Sequence, residues 1–425
     1  MEKLFQYQAG LLQGISNNFN RYLFEKIQWN ERFVGIKGLR GVGKTTLLLQ
    51  YLKYNLIDTN KHLYVTLDHP YFYSNTLYDL AQSFYQLGGQ TLLVDEVHKM
   101  KDWSRQIKII FDGLPGLQLI FTSSSALDLY RGESDLSRRV LTYQLAGLSF
   151  REYLELYHNI HYPRIELQDL LQNHNSHTTA IANLCKPLAL IKDYLRRGYF
   201  PFSKGLSEES FEVRLVQTLE VVLNEDLSYV EGFTTDNIFK IKKLLGILAE
   251  SVPFTANISS IADKLTIGRN TIKEYLHALE KAGLLNFLNR KGKGVSILQK
   301  PDKIYLENTN LSYTLKSQPD AGTLRETFVL NQLKNSGKKI YLPDEGDIIV
   351  YDQRHYYTFE IGGKNKSNKQ IKNKPNSFII ADDIETGYLN KIPLYLFGFY
   401  INYKKQRNLA KQTSGIFKTN CINTV

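Results

Sequence analysis

Cysteine, methionine and tryptophan are scarce, two of each in 425 residues. Cys185 and Cys421 stand far apart in no metal-ligand spacing, which excludes a disulfide framework and a thiolate metal site as the basis of the fold. A reducing, cytoplasmic setting is expected. No run approaches about 18 consecutive apolar residues, so no membrane span or membrane partner is expected. The opening stretch MEKLFQYQAGLLQGISNNFNRYLFE lacks the basic start and unbroken apolar core of a signal peptide. Acidic residues are in deficit, 42 against 53 Lys plus Arg, for a formal charge of +11. Such a surface suits polyanions, DNA among them, although ordinary enzymes carry similar excesses. The length argues for two to four domains, and 43% hydrophobic residues suffice to fill their cores.

What is present begins with RFVGIKGLRGVGKTTLLLQYLKYNL. It predicts a strand ending near Lys37, a glycine-rich loop, and a helix from Lys44 with leucines on its buried face. That is the strand, G-x-x-x-x-G-K-[ST], helix context of a P-loop. Gly38, Leu39, Arg40, Gly41, Val42 and Gly43 would wrap backbone N–H groups around phosphates, with Thr46 following. Lys44 would reach the β and γ oxygens of ATP, and Thr45 would ligate Mg²⁺.

About fifty residues on, QTLLVDEVHKM is an apolar run into Asp95 and Glu96. A buried strand that ends in two carboxylates must deliver them to a site at its C-terminal edge, since burying them unpaired is costly. Asp95 fits a Mg²⁺ partner and Glu96 the base for an attacking water. A third strand, LQLIFTSSS, ends in hydroxyls, of which Thr122 and Ser124 would sense the γ-phosphate. Arg138 and Arg139 follow in DLSRRVL. They are either solvated or one is an arginine finger given to a neighbouring subunit, which would make the protein a homo-oligomer.

The stretch from Leu92 to Ser125, with LSRR and GLSFREYLEL after it, resembles the bacterial and archaeal AAA-superfamily ATPases that carry a C-terminal nuclease-like domain. The resemblance covers nearly the whole chain. It implies ATP hydrolysis with Asp95 and Glu96 in the roles above, and Arg139 matches the family's usual arginine. Relatives have Thr-Gly-Ser after the sensor strand, where this chain has Thr122-Ser123-Ser124.

From about 165 the pattern turns helical, resembling the family's lid. Two H-x-x-H pairs, His158 with His161 and His174 with His177, have helical spacing but no third ligand, which argues against a metal. Residues 241–298 hold an amphipathic helix, a helix-turn-helix over ISSIADKLTIGRNTIKEYLHALEKAGLL, and a basic hairpin in NFLNRKGKGVSIL. Together they spell a winged helix-turn-helix. As a DNA reader it would use Arg269, Asn270, Thr271, Lys273 and His277 in the groove and Arg290, Lys291 and Lys293 on phosphates. Alternatively it packs on protein, and Glu274 and Glu280 dilute its positive face.

Past Pro301 the pattern is mixed α and β. Glu326 on a helix, Asp347 and Glu360 on strands, and Lys364 follow the order of PD-(D/E)xK nucleases, which hold Mg²⁺ between carboxylates. The signature wants its lysine at position 362, on the same strand face as Glu360. That residue is glycine, so an inactive nuclease-like binding domain is the favoured expectation over an active nuclease. The lysine-rich stretch KNKSNKQIKNK is either a solvated loop or a set of phosphate contacts. The expected fold is α/β: a P-loop NTPase of AAA/ASCE type with a parallel sheet (1–160), a helical lid (161–238), a winged helix-turn-helix (239–300) and a restriction-endonuclease-like domain (301–425).

Overall fold

Strand β1 (Phe33–Lys37) has four of its five residues buried, as a strand covered by helices on both faces must. With β2 (His62–Thr66), β3 (Thr91–Asp95), β4 (Gln118–Ser123) and β5 (Leu141–Gln144) it forms a sheet of order β2-β3-β4-β1-β5, every neighbouring pair parallel. These are features of a computed structural model that describes residues 1–123, 136, 138–227, 235–251, 253–255, 258–292, 301–316, 318–372 and 374–400.

Helices α3 (Leu77–Gln86) and α4 (Trp103–Gly113) send Leu80, Phe84, Ile107 and Ile110 into one core of this sheet. Helix α2 (Lys44–Asn55) buries Leu47, Leu48 and Leu52 in another. Helix α1 (Glu2–Gln13) closes the open edge of β2. Its buried Gln8 donates to the His62 carbonyl at 3.2 Å and accepts from the Tyr64 amide at 2.6 Å, which satisfies polar groups an edge strand leaves unpaired.

The stretch expected as one lid divides between two cores. Its helices α6 (Leu167–Ala182) and α7 (Pro187–Asp193), with α5 (Phe150–His158) from the expected first domain, pack into the C-terminal unit, where Phe150, Tyr153, Leu170 and Ile191 share a core with Phe328, Phe359 and Phe397. The Ile165 amide even donates to the Phe399 carbonyl at 3.1 Å. Helix α8 (Glu208–Val221) and the turn Val222–Asp226 instead join the core beside the phosphate loop through Phe211, Leu215 and Val222. Apolar complementarity, not sequence proximity, decides which core each helix joins.

Three helices follow, α9 (Thr235–Ser251), α10 (Ile258–Leu265) and α11 (Arg269–Lys281), with a small antiparallel sheet of β6 (Phe254–Thr255), β7 (Leu285–Leu288) and β8 (Lys303–Leu306) in the order β6-β8-β7. The partner of β7 is thus 303–306, beyond the boundary expected at 300. Helix α12 (Thr309–Leu315) leads into α13 (Ala321–Asn335) and a second five-stranded sheet. Its strands β9 (Lys339–Tyr341), β10 (Ile348–Asp352), β11 (His355–Gly362), β12 (Ser377–Ala381) and β13 (Lys391–Pro393) lie in the order β13-β12-β11-β10-β9. The β9 to β11 pairings are antiparallel and the rest parallel. The apolar run IPLYLFGFYI yields only short β13 and a 3₁₀ segment, Leu394–Phe399, that fills the core.

Candidate functional site

The sheet order sets the site. Strand β4 lies between β1 and β3, so the ends of three adjacent strands present the glycine-rich loop, Thr122, and the pair Asp95 and Glu96 along one edge. Gly41 and Gly43 have φ of +84° and +95°, backbone that side chains rarely adopt. A side chain at Gly38 would fall 2.3 Å from the Leu145 carbonyl oxygen. Lys44 starts α2, is buried, and donates to the carbonyls of Gly38 at 2.9 Å and Leu39 at 3.2 Å.

Around Asp95 the polar groups are dense. Its carboxylate accepts from Thr45 Oγ1 at 2.6 Å, from Tyr64 Oη at 3.0 Å and from Thr122 Oγ1. Burial raises its pKa, and Glu96 adds to that, against the opposing pull of Thr122, Thr45 and Lys44. Burial next to Asp95 also raises the Tyr64 phenol. The donor set of Thr45 and Asp95, a hydroxyl and a carboxylate at the loop's end, fits a hard divalent cation such as Mg²⁺.

Glu96 sits at φ +56°, in the left-handed region, a strained backbone for a glutamate. Its amide donates to Thr122 Oγ1 at 3.1 Å, so this one threonine touches both acids. Its Oε2 is buried without a hydrogen bond, 3.4 Å from His98 Nε2 and 3.6 Å from Arg40 Nη2. Burial pushes His98 down to about pKa 3, with Lys44, Lys99 and Arg40 adding to the effect, so the imidazole stays neutral. His98 Nδ1 lies 3.3 Å from Ser123 Oγ at the end of β4.

The loop is fastened from behind by a residue that composition and motifs do not reveal. Arg21, 5% exposed, donates to the carbonyls of Val42 at 2.5 Å, Ala146 at 2.7 Å and Gly147 at 2.9 Å, and to Glu152 at 3.0 Å. The spacing of Ser149 and Glu152 at the start of α5, a capping box, is the signal that was there to be read.

Other expected residues fall differently. Arg139 pairs with Asp112 at 3.2 Å through two nitrogens and lies over the Phe111 ring. Ser124 and Lys293 lie outside the described residues. Arg269 and Asn270 are exposed at the start of α11, with Lys273 half-buried on the next turn. His277 is turned inward, against Phe287 and Glu280. Arg290 and Lys291 are both exposed: Arg290 bridges through its backbone to Leu342 and lies 3.6 Å from Asp344, and Lys291 donates to Tyr356 Oη at 2.7 Å. Beside the edge strand of the C-terminal sheet, the Leu342 amide donates to the Asn289 carbonyl at 2.8 Å.

Around that sheet, Glu326 on α13, Asp347 just ahead of β10 and Glu360 on β11 lie near one another, each acting electrostatically on Lys366. The lysine on Glu360 is Lys366, at 2.6 Å, and not Lys364, whose carbonyl accepts from Lys391. Strand β11 ends at Gly362, and the turn after it folds back so that the Lys366 stem occupies the space of the missing side chain. A Cβ at Gly362 would lie 2.7–2.9 Å from Lys366 carbons. Asp347 accepts from the Ile361 amide at 2.7 Å, and Glu326 from Tyr305 at 2.6 Å and Lys303 at 3.3 Å. Among the described residues no group of three His, Cys, Asp or Glu is arranged to hold a metal, the histidine pairs included. His158 meets Tyr153, and His177 meets Asp169 and Tyr162. No helix among the described residues is long and apolar enough to cross a membrane.

Loop, acids and strand order have the form of a P-loop nucleotide-binding domain. Residues 30–154 match the AAA domain family, and residues 188–321 match a domain of unknown function, DUF8612. The chain is 29% identical over 363 residues to the uncharacterized protein MJ1637 of Methanocaldococcus jannaschii, covering 79% of this chain and 76% of that protein. Among solved structures it is similar to the Walker-type ATPase PABY2304 of Pyrococcus abyssi (12% identity, TM-score 0.37, 70% of this chain and 95% of that one). It is also similar to AMPPCP-bound DnaA of Aquifex aeolicus (18% identity, TM-score 0.25, 65% and 88%). Both superpositions are loose, and the assignment of the domain rests on its own motifs and topology.

Proposed function

We propose that this protein binds and hydrolyses ATP with Mg²⁺ and passes its nucleotide state to surfaces that contact nucleic acid. One observation carries the first half: Thr45, Asp95, Thr122 and Glu96 meet beside Lys44 at the ends of three neighbouring strands. The backbone from Gly38 to Thr46 wraps the phosphates, and Lys44 leaves two carbonyls to reach them. Thr45 and Asp95 hold Mg²⁺, which offsets charge on the β and γ oxygens. Glu96 accepts the proton of the attacking water, and Thr122 keeps the two acids in register.

The second half rests on geometry that joins loop and helices. Leu39, inside the phosphate loop, lies where a Cβ on Gly283 would meet it at 3.7 Å, and Gly283 closes α11. A shift of the loop is therefore felt by the helix that displays Arg269, Asn270 and Lys273. The succession of α9, α10 and α11 with paired β7 and β8 after them supports the reading as a winged helix-turn-helix, in which α11 would be the reading helix. In the C-terminal unit the pairing of Lys366 with Glu360 reproduces one contact of a nuclease site without a metal cage, which favours a nuclease-like binding module over an active enzyme.

Steady-state ATP hydrolysis tests this, with wild type, Lys44→Ala and Glu96→Gln, each with and without duplex and single-stranded DNA at two salt concentrations. Hydrolysis should fall roughly 10²–10⁴-fold in Glu96→Gln, and DNA should stimulate the wild type less at high salt. Turnover indifferent to DNA would instead make the protein a nucleotide-held switch for protein partners. Cleavage of DNA with Mg²⁺ or Mn²⁺ that disappears in Glu360→Ala would restore the nuclease.

A further inference from the structure

We propose that the arginine serving the terminal phosphate is Arg40, supplied in cis by the phosphate loop, and that it reaches that phosphate by giving up Glu225. The turn Val222–Asp226 then registers whether a triphosphate is bound. This rests on the loop being a nucleoside-triphosphate site.

Position is the first ground. Lys44 donates to the carbonyls of Gly38 and Leu39, so residue 40 begins where the Lys44 ammonium sits. Its side chain turns along the site: Nη2 lies 3.6 Å from Glu96 Oε2, the carboxylate that faces the attacking water. Lys44, Arg40, Lys99 and Glu225 all act electrostatically on buried His98, which places their charges around one point.

The second ground is how loosely Arg40 is held. Its contact with Glu225, from Nη1, is also 3.6 Å, longer than the 2.7–2.9 Å of a charge-assisted hydrogen bond. Glu225 is half exposed and has a closer cation, Lys99 at 2.8 Å. Surface pairs of that kind are weak, whereas a planar guanidinium binds phosphate oxygens through two donors at once. A γ-phosphate arriving beside Lys44 outcompetes a solvated carboxylate. Arg139, by contrast, is engaged by both oxygens of Asp112 and by the Phe111 ring.

The third ground is where Glu225 sits. It belongs to a π-helical turn continuing α8, and such turns recur at functional positions. The turn sends Val222 into the core beside the loop. Losing Arg40 removes one cation from Glu225 while its 2.8 Å contact with Lys99 remains. In the reaction, water adds to the γ phosphorus as its bond to the bridging oxygen breaks, and ADP leaves with the electron pair. Glu96 takes the proton, while Arg40 faces the charge on the equatorial oxygens.

The test uses the full chain and the variants Arg40→Ala, Arg40→Lys, Arg139→Ala and Glu225→Gln. Hydrolysis is followed over a range of protein concentrations, and ADP retention is measured with Mg²⁺ and aluminium fluoride. Arg40→Ala should lose roughly 10³-fold or more in kcat, keep its affinity for ADP, and fail to trap ADP with aluminium fluoride. Arg40→Lys should recover part of both, and Glu225→Gln should raise kcat several-fold. Wild-type specific activity should not change with protein concentration. Arg40→Ala with wild-type kcat, or with lost ADP affinity, overturns the proposal. So does activity that rises with protein concentration and vanishes in Arg139→Ala. If wild type neither binds nor hydrolyses ATP, it is the underlying assignment of the loop that fails.

Discussion

Glu152→Ala should unfold the ATPase unit far more readily than its distance from any catalytic residue suggests. Glu152 is fully buried and accepts from Arg21 Nε at 3.0 Å, the Tyr22 amide at 2.8 Å and the Ser149 amide at 3.0 Å. Truncating it leaves the Arg21 guanidinium buried with carbonyl partners but no counter-charge, a loss of about 3–5 kcal/mol for a pair this enclosed. Burial pushes the Glu152 pKa up, but Arg21, Arg151 and the Ser149 and Tyr22 amides more than cancel it, leaving the carboxyl below its ordinary 4.5. The contribution is therefore complete above pH 4.5 and lost as the pH falls through the lower folded value. Both tryptophans, Trp29 stacked on Tyr51 at 3.9 Å and Trp103 beside Phe121, report on this unit. Urea unfolding followed by their fluorescence should shift down by roughly 2 M, taking a slope of about 2 kcal/mol per molar. Replacing both partners by apolar residues, Arg21→Met with Glu152→Leu, should recover much of the loss. A midpoint within about 0.5 M of wild type for Glu152→Ala would refute the reasoning, since a buried cation would then have lost its partner at no cost.

His98, neutral with a pKa near 3, takes up its proton only on unfolding, so stability should decline by about 1.4 kcal/mol per pH unit below 6.5 on its account. Denaturation midpoints measured from pH 7 to 5 should show a shallower decline in His98→Gln. Lys366→Met should leave Glu360, 1% exposed, without its cation. With Lys366 one-third exposed, the loss should be nearer 1–3 kcal/mol than the full cost of breaking a buried pair, and it should show as faster hydrogen exchange in β10 to β12. Gly283→Ala should cost about 1–2 kcal/mol through its φ of +77° and not through a clash, because the new methyl meets Leu39 at an ordinary 3.7 Å. Gly283→Asn should then be milder in the same denaturation assay.

The phosphate loop and its neighbouring acids could be placed from the sequence because their geometry is local. Glycines at fixed offsets force the loop, and a buried strand ending in Asp95 and Glu96 has only one place to put them. Helix α2 begins at Lys44, and the helix bearing Glu326 and the strand bearing Glu360 form where the pattern put them, while Asp347 falls one residue ahead of β10. What escaped were contacts made across long stretches of chain. Tyr64 on Asp95, Arg21 on Glu152 and Glu225 on Arg40 join residues with no shared motif. Lys366 was not seen as a partner of Glu360 because the strand ends at Gly362, and the turn that brings Lys366 back leaves no period to read. Nothing in the composition of the segment after β7 shows that Arg290 pairs with Leu342. The lid was read as one piece from the helical pattern of α6 to α8, and that pattern does not say which core receives the apolar face.

The division of those helices has a consequence for how the polypeptide comes into being. The C-terminal core needs Phe150 and Tyr153 from early in the chain and Phe397 and Phe399 from its far end. The ATPase core likewise waits for α8 to α11, synthesised after α5 to α7. Neither body is a continuous stretch, so neither can be completed during synthesis before the other has begun. Contacts of such long sequence separation form slowly, because a large loop must close before they add stability. During that interval the apolar faces of α5 to α7 stay uncovered on the nascent chain, a window in which aggregation competes with folding.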